Sequence, residues 1–309
     1  MENPKVSVII PVYNTASYLC DAIRSIMDQT LAEIEILIVN DGSTDESGDI
    51  IRKLAAKDPR ILIFEQENKG QSVARNVGLE HASGEFIYFM DSDDVIAWEA
   101  LELCYARCKE QQLDFIFFDG DILYEDKQLP LSWDYHRTGH YDESMIYQGI
   151  SLMDNMLDHA THRAVPWLWL VRREFLDRIK LRFYPGIIHE DELFSVLMFI
   201  QSQRIGCLKR SLVQHRVRGN STMTKRYSLR NVDCYLTVMD ELFAYAYRYP
   251  EVLPLIRKYT VYTLNAVFRT AHVLPLADKF SVYTRCLRSG YGRYICVGVQ
   301  LKFWLKRRR

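Results

Sequence analysis

Four consecutive polar residues, Asp91-Ser92-Asp93-Asp94, give this 309-residue sequence its clearest chemical signal. Asp91 and Asp93 are separated by one residue after an apolar run, so both carboxylates can face one hard cation. Such a pair favours Mg²⁺ or Mn²⁺ that is held by one or two carboxylates and by phosphate oxygens. The alternative is a solvated acidic turn that caps the following helix. A calcium loop of the helix-loop-helix type is not expected, because the later ligands and the terminal glutamate of that pattern are missing.

Asp41 is a second candidate, because it ends an apolar run and precedes Gly42. A carboxylate in this position can accept the ring N–H of uracil or thymine as a hydrogen bond. It can also cap a helix that begins near Thr44, a role in which aspartate is common, and Ser43 or Thr44 can cap that helix as well. The two roles of Asp41 are compatible.

Arg75 follows the polar run Asn68–Ser72 in the first turns of a predicted helix. A cation gains nothing from the helix macrodipole at this end. We therefore expect an acidic partner for Arg75, either a carboxylate of the site or a phosphate. The alternative is an arginine exposed on the surface.

Three successive acids, Glu190, Asp191 and Glu192, precede a strongly apolar helical pattern. Like charges this close raise the pKa of a carboxyl group among them, which suits proton transfer. The alternative is that they only provide the negative charge that favours a helix N-terminus.

Asp41, Asn68 and the tetrad Asp91–Asp94 follow predicted strands. Apolar runs typical of buried strands alternate with amphipathic helical patterns, at Lys5–Pro11, Glu35–Asn40, Arg60–Glu65, Glu85–Met90 and Asp114–Phe118. This order predicts an α/β fold whose largely parallel sheet is covered by helices on both faces. Ligands of such sheets bind beyond the carboxyl ends of the strands, which is where Tyr13, Asp41, Asn68 and the tetrad Asp91–Asp94 are predicted to lie.

The later sequence is less regular. We predict helices at Pro166–Leu176 and Leu193–Gln201 and a strand at Leu212–Arg218, whereas only helical periodicity follows Ser228. The domain prediction is therefore residues 1–223 for the α/β domain and residues 224–309 for a C-terminal helical region with a basic tail.

Composition excludes several classes of protein. Hydrophobic residues make up 48% and charged residues 26% of the chain, which rules out a disordered chain or a disulfide miniprotein. The seven cysteines lack metal-ligand spacing, so we expect them to be reduced and mostly buried. No apolar run approaches the ~18 residues of a membrane span, and the N-terminus lacks a signal-peptide pattern. We expect a cytoplasmic protein.

The C-terminal tail is strongly basic. Nine basic residues and no acidic residue follow Asp278, and the tail also contains Phe303 and Trp304. Such a segment can lie on an anionic membrane surface, which would make the protein peripheral at the inner face of the membrane. The alternative is a helix packed on its own domain with a solvated basic end. Binding to nucleic acid is not expected, because the preceding residues are acidic overall and contain no recognised nucleic-acid module.

Four segments together carry a resemblance to a known family. They are Val8–Asn14, Val39–Asp45, Asn68–Gly78 and Phe89–Asp94. In this order and spacing they resemble the family 2 glycosyltransferases of the GT-A fold, of the type found in bacterial polysaccharide biosynthesis. The resemblance covers about the first 120 residues closely and continues more loosely to about Met223.

The resemblance implies a role for each matching residue at the nucleotide. Pro11, Tyr13 and Asp41 match the wall that holds the base, where Tyr13 would stack on the ring and Asp41 would bond its N–H. Asn68 and Arg75 match positions that line the nucleotide pocket.

The Asp-x-Asp motif would hold the sugar nucleotide and its metal. Asp91 would lie near the ribose, Asp93 would bind Mn²⁺ or Mg²⁺, and Ser92 belongs with the nucleotide-sugar-binding residues. Asp94 would orient the ligands of the metal. Asp191, in the segment Gly186–Asp191, matches the general base.

The segment His215–Met223 resembles the late basic segment of the family. His215 would complete the metal shell or reach the pyrophosphate; the alternative is a histidine that only packs under the site. Arg218 would neutralise charge on the leaving group.

The function implied is inverting transfer of a sugar from a nucleotide sugar, with UDP as the expected nucleotide. The acceptor would be a sugar hydroxyl of a glycan or of a lipid-linked saccharide, in the synthesis of a cell-surface polysaccharide. The alternative is a catalytically degenerate scaffold protein that binds nucleotide sugars within a polysaccharide-assembly complex.

Overall fold

The structure, a computed structural model, describes residues 4–125, 134–217 and 227–305 of the chain. Within these residues eight strands form one sheet: β1 (Val6–Val12), β2 (Ile34–Asp41), β3 (Ile61–Gln66), β4 (Phe86–Phe89), β5 (Val95–Ile96), β6 (Phe115–Tyr124), β7 (Trp169–Arg172) and β8 (Ile205–Val217). The α-helices of the same residues are α1 (Ala16–Met27), α2 (Ser47–Ala55), α3 (Gln71–His81), α4 (Ala100–Glu110), α5 (Gly149–Asp158), α6 (Arg173–Arg178), α7 (Glu190–Gln201), α8 (Leu229–Arg248), α9 (Leu253–Thr270), α10 (Leu276–Arg288) and α11 (Val297–Leu305).

The strand order is β3-β2-β1-β4-β7-β6-β8-β5. β1 pairs in parallel with β2 and β4, and β2 pairs in parallel with β3, so these four strands end at one edge. β7 runs antiparallel to β4 and β6, and β5 runs antiparallel to β8, whereas β6 and β8 are parallel. The predicted α/β fold is confirmed, with antiparallel strands that make the sheet mixed.

β1 shows why the first strands were readable from the sequence. It lies between β2 and β4, and all seven of its residues are buried. A parallel strand that is covered on both faces of the sheet has no solvent-facing side, so polar residues do not alternate with apolar ones. Its sequence is therefore a continuous apolar run.

The helix predicted at Pro166–Leu176 is wrong. A single 3₁₀ turn at Pro166–Leu168 leads into β7, and a helix begins only at Arg173. β7 is inserted between β4 and β6, where its backbone groups pair on both sides. A short, fully apolar run does not reveal its period, so only these neighbours decide that it is a strand.

The helices predicted after Ser228 are confirmed, and they pack on the α/β part. One hydrophobic cluster continues from the sheet into this region and includes Ile9, Phe199 and Tyr259. The predicted boundary at residues 223 and 224 lies outside the described residues and stays a prediction. Among the helices that the structure describes, none is long and apolar enough to cross a membrane.

Candidate active site

A cleft of about 530 Å³ opens at the edge where β1, β2 and β4 end. It brings together residues from distant parts of the described sequence, from Pro11 to Arg230. Ten of the residues predicted for the site line it: Pro11, Tyr13, Asn68, Arg75, Asp41, Asp91, Ser92, Asp93, Asp191 and His215. Asp94 is fully buried and does not line it, and Arg218 lies outside the described residues.

Asp41 is fixed at the end of β2 by the loop that follows β3. Its carboxylate accepts hydrogen bonds from the backbone N–H groups of Lys69 (2.8 Å) and Gly70 (2.9 Å). The side-chain amide of Gln66 donates a third bond at 2.6 Å. The close approach depends on Gly42, which has a φ of +70°, and a Cβ there would lie 2.8 Å from the backbone nitrogen of Asn68.

The helix-capping alternative for Asp41 is wrong. α2 begins at Ser47, six residues after Asp41, and none of the hydrogen bonds described for Asp41 reaches this helix. Ser43 and Thr44 do not cap it either, since the cap position is Glu46. The extra residues form a loop, and the Asp41 carboxylate is used to hold the neighbouring loop at the cleft.

Tyr13 is held by contacts between two loops. The side-chain oxygen of Asn14 accepts the backbone N–H of Thr44 at 2.8 Å, and Ser43 Oγ accepts the backbone N–H of Asn14 at 3.1 Å. The Tyr13 side chain remains 49% exposed at the cleft, next to the buried Pro11. A large ring that is left half-exposed by a fixed backbone is suited to stack on a ligand.

Arg75 is buried between two acids, so the alternative of a surface arginine is wrong. Its guanidinium donates to Glu190 Oε1 at 2.8 Å and to Asp91 Oδ1 at 2.9 Å, and only 3% of the side chain is exposed. It also lies over the ring of Phe183, 5.0 Å from the ring centre. Arg75 therefore ties the end of β4 to the start of α7.

The tetrad after β4 is divided between the cleft and the core. The Ser92 hydroxyl accepts a hydrogen bond from Thr15 Oγ1 at 2.9 Å and is buried. Asp93 lines the cleft, and its backbone carbonyl accepts Arg216 Nε at 2.9 Å. Asp94 is fully buried, and burial raises its pKa to about 6 although His215 acts to lower it.

His215 joins this tetrad from β8. Its Nδ1 lies 3.0 Å from both oxygens of Asp94, and its ring stacks on Trp167 with ring centres 5.0 Å apart. Burial lowers the pKa of His215, but the charge and hydrogen bond of Asp94 outweigh burial, so the pKa is raised. The Asp94 contact directs Nδ1 away from metal binding and leaves Nε2 for any ligand in the cleft.

The donor set of this cleft fits a divalent metal in one respect. In many metal sites a carboxylate forms a hydrogen bond to one ring nitrogen of a histidine, and the other ring nitrogen binds the metal. Asp94 and His215 form the carboxylate–histidine part of this arrangement. The described residues contain no group of three or more His, Cys, Asp or Glu side chains able to hold a metal alone. A cation here would therefore need Asp93, His215 and oxygens from a bound phosphate.

The acids at the start of α7 have separate environments. Glu190 is paired with Arg75, whereas Glu192 accepts a 2.6 Å hydrogen bond from Tyr259 of α9. Asp191, between them, faces the cleft. Burial raises the pKa of Asp191 well above its usual range, the charges of Glu190 and Glu192 raise it further, and Arg75 lowers it. This is the environment that strengthens a carboxylate as a proton acceptor.

The start of α7 rests on the C-terminal helices. His189 precedes the helix with a φ of +69°, a conformation that few side chains adopt. Its ring stacks on Tyr235 of α8 with ring centres 4.1 Å apart, and burial lowers its pKa to about 4. The backbone N–H of Ile188 donates to Cys234 Sγ at 3.4 Å, so α8 holds the segment that leads to Asp191.

Residues 7–180 of the chain match the family described as Glycosyl transferase family 2. The chain belongs to this family. It is 34% identical over 219 residues to the glycosyltransferase GlyA of Streptococcus pneumoniae, and the matched region covers 70% of this chain and 31% of GlyA. It is 33% identical over 224 residues to the uncharacterized glycosyltransferase EpsJ of Bacillus subtilis, and the matched region covers 71% of this chain and 62% of EpsJ. The chain thus spans less than two thirds of the length of these relatives.

A solved structure of S. aureus TarS, residues 1–349 in complex with UDP-GlcNAc, has a similar fold. The TM-score is 0.62 at 24% identity, over 77% of this chain and 66% of the TarS chain. The resemblance to family 2 glycosyltransferases and the expected GT-A fold are both confirmed.

The cleft also contains residues that the sequence did not single out. Arg230, in the first turn of α8, lines it from the C-terminal region, and Lys69, Gln71 and Arg216 line it from the α/β part. Gln71 donates to Asp91 Oδ1 at 3.0 Å. The signal that revealed Arg75, a cation at the positive end of a helix, was also present at Arg230.

Proposed function

We propose that this glycosyltransferase transfers a sugar from a UDP-linked donor to a sugar hydroxyl, with inversion at the anomeric carbon. The observation that carries the proposal is one cleft lined by Asp41, Asp93 and Asp191, with the buried Arg75 among them. Asp41 offers a partner for a base, Asp93 for a metal ion on the diphosphate, and Asp191 for a proton.

A uracil base is supported at Asp41. A carboxylate has about four acceptor positions, and the described residues use three of those of Asp41. The remaining one is available to the ring N–H of uracil, while Tyr13 offers its exposed ring for stacking. TarS, a protein of similar fold, has been solved with UDP-GlcNAc, which is consistent with a UDP sugar in a cleft of this kind.

Asp191 would act as the general base. It takes the proton of the acceptor hydroxyl while that oxygen forms a bond to the anomeric carbon. The bond from this carbon to the diphosphate oxygen breaks on the opposite side, and the nucleoside diphosphate leaves with the electron pair. A positioned base contributes roughly 10²–10⁴ in rate.

Negative charge on the leaving diphosphate needs positive charge nearby. Asp93 and His215 would hold Mn²⁺ or Mg²⁺, which when bound supplies that charge. Arg230 lines the same cleft, and Arg218 is proposed for this role from the sequence. The acceptor is proposed to be a glycan or a lipid-linked saccharide in the synthesis of a cell-surface polysaccharide.

The test is a panel of nucleotide sugars with measurement of released nucleoside diphosphate, in Mn²⁺ and in excess chelator. We expect UDP sugars to be used, chelator to abolish release, and Asp93→Ala to reduce turnover at least about a hundredfold. Asp121→Ala, at an exposed acid outside the cleft, is the matched control and should retain activity.

One result would remove the metal from the proposal, and another would reject transfer itself. Full turnover in chelator, or in Asp93→Ala, would mean that the transfer does not depend on a metal held by Asp93. Binding of a UDP sugar without turnover for any acceptor would favour the scaffold alternative, in which the chain binds nucleotide sugars but does not transfer them.

A further inference from the structure

The last helix of the described chain exposes an apolar stripe. Val297, Leu301 and Leu305 are 74%, 54% and 75% exposed, and their spacing of four residues places them on one side of α11. The opposite side is buried, and Phe303 packs there on Phe268 of α9 with ring centres 4.9 Å apart. The fold is therefore held by one side of α11, and the exposed side is not used for internal packing.

A second stripe lies on α10. Leu276, Phe280 and Leu287 are 63%, 56% and 58% exposed. The Phe280 ring lies 5.0 Å from the ring of Trp304 on α11, so the two helices present their exposed apolar side chains next to each other. We call these exposed side chains the tail patch: Leu276, Phe280, Leu287, Val297, Leu301 and Leu305.

Positive charge accompanies the tail patch. Arg288, Arg293 and Lys302 are exposed on or between the same helices, and the sequence continues with the four bases Lys306–Arg309. No acid follows Asp278, whereas the chain as a whole has a net charge of −1. Exposed apolar side chains and exposed bases thus occur together on α10, on α11 and on the segment between them.

We propose that the tail patch docks on an anionic phospholipid surface. Apolar side chains that extend from a short helix can enter the boundary between headgroups and acyl chains, while neighbouring bases meet lipid phosphates. A second copy of the chain fits less well, because a symmetric interface would bring these bases against their own copies. The docking needs no sugar transfer, so it stands apart from the proposed function.

The experiment is co-sedimentation of the full chain with vesicles of phosphatidylcholine alone or with about 30% phosphatidylglycerol, at low and high salt. We expect sedimentation only with the anionic vesicles, and weaker binding at high salt. Arg293→Gln with Lys302→Gln should weaken binding at least about tenfold, because each base near an anionic surface contributes about fivefold.

The apolar side chains are tested separately by Leu301→Gln with Leu305→Gln, which should also weaken binding at least about tenfold. Both residues are exposed, so the fold should survive, and the thermal midpoint of unfolding checks this. Matched controls lie outside the tail patch: Met145→Gln for an exposed apolar residue, and Lys53→Gln with Lys57→Gln for exposed bases.

Three outcomes would overturn the proposal. The full chain could fail to sediment with anionic vesicles at low salt, or the tail-patch variants could bind as the unaltered chain does. Alternatively, sedimentation velocity could show a dimer that Leu301→Gln with Leu305→Gln converts to monomer while vesicle binding is unchanged. That result would assign the tail patch to a second copy of the chain.

Discussion

The sheet edge and the start of α7 contribute acids to the same cleft but hold them in different ways. At the sheet edge Asp41 accepts backbone and amide hydrogen bonds from the loop after β3. At the start of α7, Glu192 bonds Tyr259 and His189 stacks on Tyr235, both from the C-terminal helices. Binding a base needs a fixed acceptor, whereas accepting a proton needs a raised pKa. The hydrogen bonds around Asp41 fix the acceptor, whereas burial at the start of α7 raises the pKa of Asp191.

Arg75 connects the two regions, so its loss should have the largest effect on stability. Arg75→Met would leave the carboxylates of Asp91 and Glu190 without their buried partner, which typically costs about 3–5 kcal/mol. Denaturant unfolding measures the change. Arg52→Met, which removes an arginine paired at the exposed surface, is the control and should be nearly neutral. Equal stability of both variants would mean that Arg75 does not link the regions.

Among changes at the start of α7, Asp191→Asn should give the largest loss of activity. The amide cannot accept the proton, so turnover should fall at least about a hundredfold while donor affinity changes little. Steady-state kinetics separate these two quantities. Asp177→Asn, at an exposed acid on α6, should behave as the unaltered enzyme. Near-full turnover in Asp191→Asn would assign the base elsewhere.

Glu192→Gln tests whether neighbouring charge tunes Asp191. The charged groups that act on Asp191 are Glu190 and Glu192, which raise its pKa, and Arg75, which lowers it. A general base works when deprotonated, so activity falls as the pH drops through its pKa. Removing the charge of Glu192 lowers that pKa, and the acid limb of the kcat/KM profile should move to lower pH.

The matched control for this shift is Glu174→Gln, on α6. An acid limb that stays in place in Glu192→Gln, or moves to higher pH, would show that Glu192 does not act on the base.

Tyr259→Phe should give the smallest effect. It removes the hydroxyl that donates to Glu192 and leaves the ring packed, so the free energy of unfolding should fall by about 1–3 kcal/mol. Tyr247→Phe, at a side chain that is 90% exposed, should be neutral when the two are compared by thermal unfolding. A neutral Tyr259→Phe would mean that the C-terminal helices support α7 by packing alone.

The sequence was sufficient where the backbone itself positions the chemistry. The carboxyl ends of parallel neighbouring strands meet at one edge, so Tyr13, Asp41 and Asp93 were placed near each other by the order of elements alone. It was insufficient where contacts come from distant parts of the chain. Arg230 and Tyr259 are separated from Asp41 by most of the sequence, and only the fold brings Arg230 to the cleft and Tyr259 to Glu192.

What the sequence determined by itself was the α/β order, the family motifs and the acids at the strand ends, because strand and turn patterns act over short stretches of chain. The tertiary structure decided that β7 is a strand, that Arg75 is buried, and that Asp191 lies in surroundings that raise its pKa. These three depend on which groups become neighbours and on how much water they lose, and both are properties of the packed molecule.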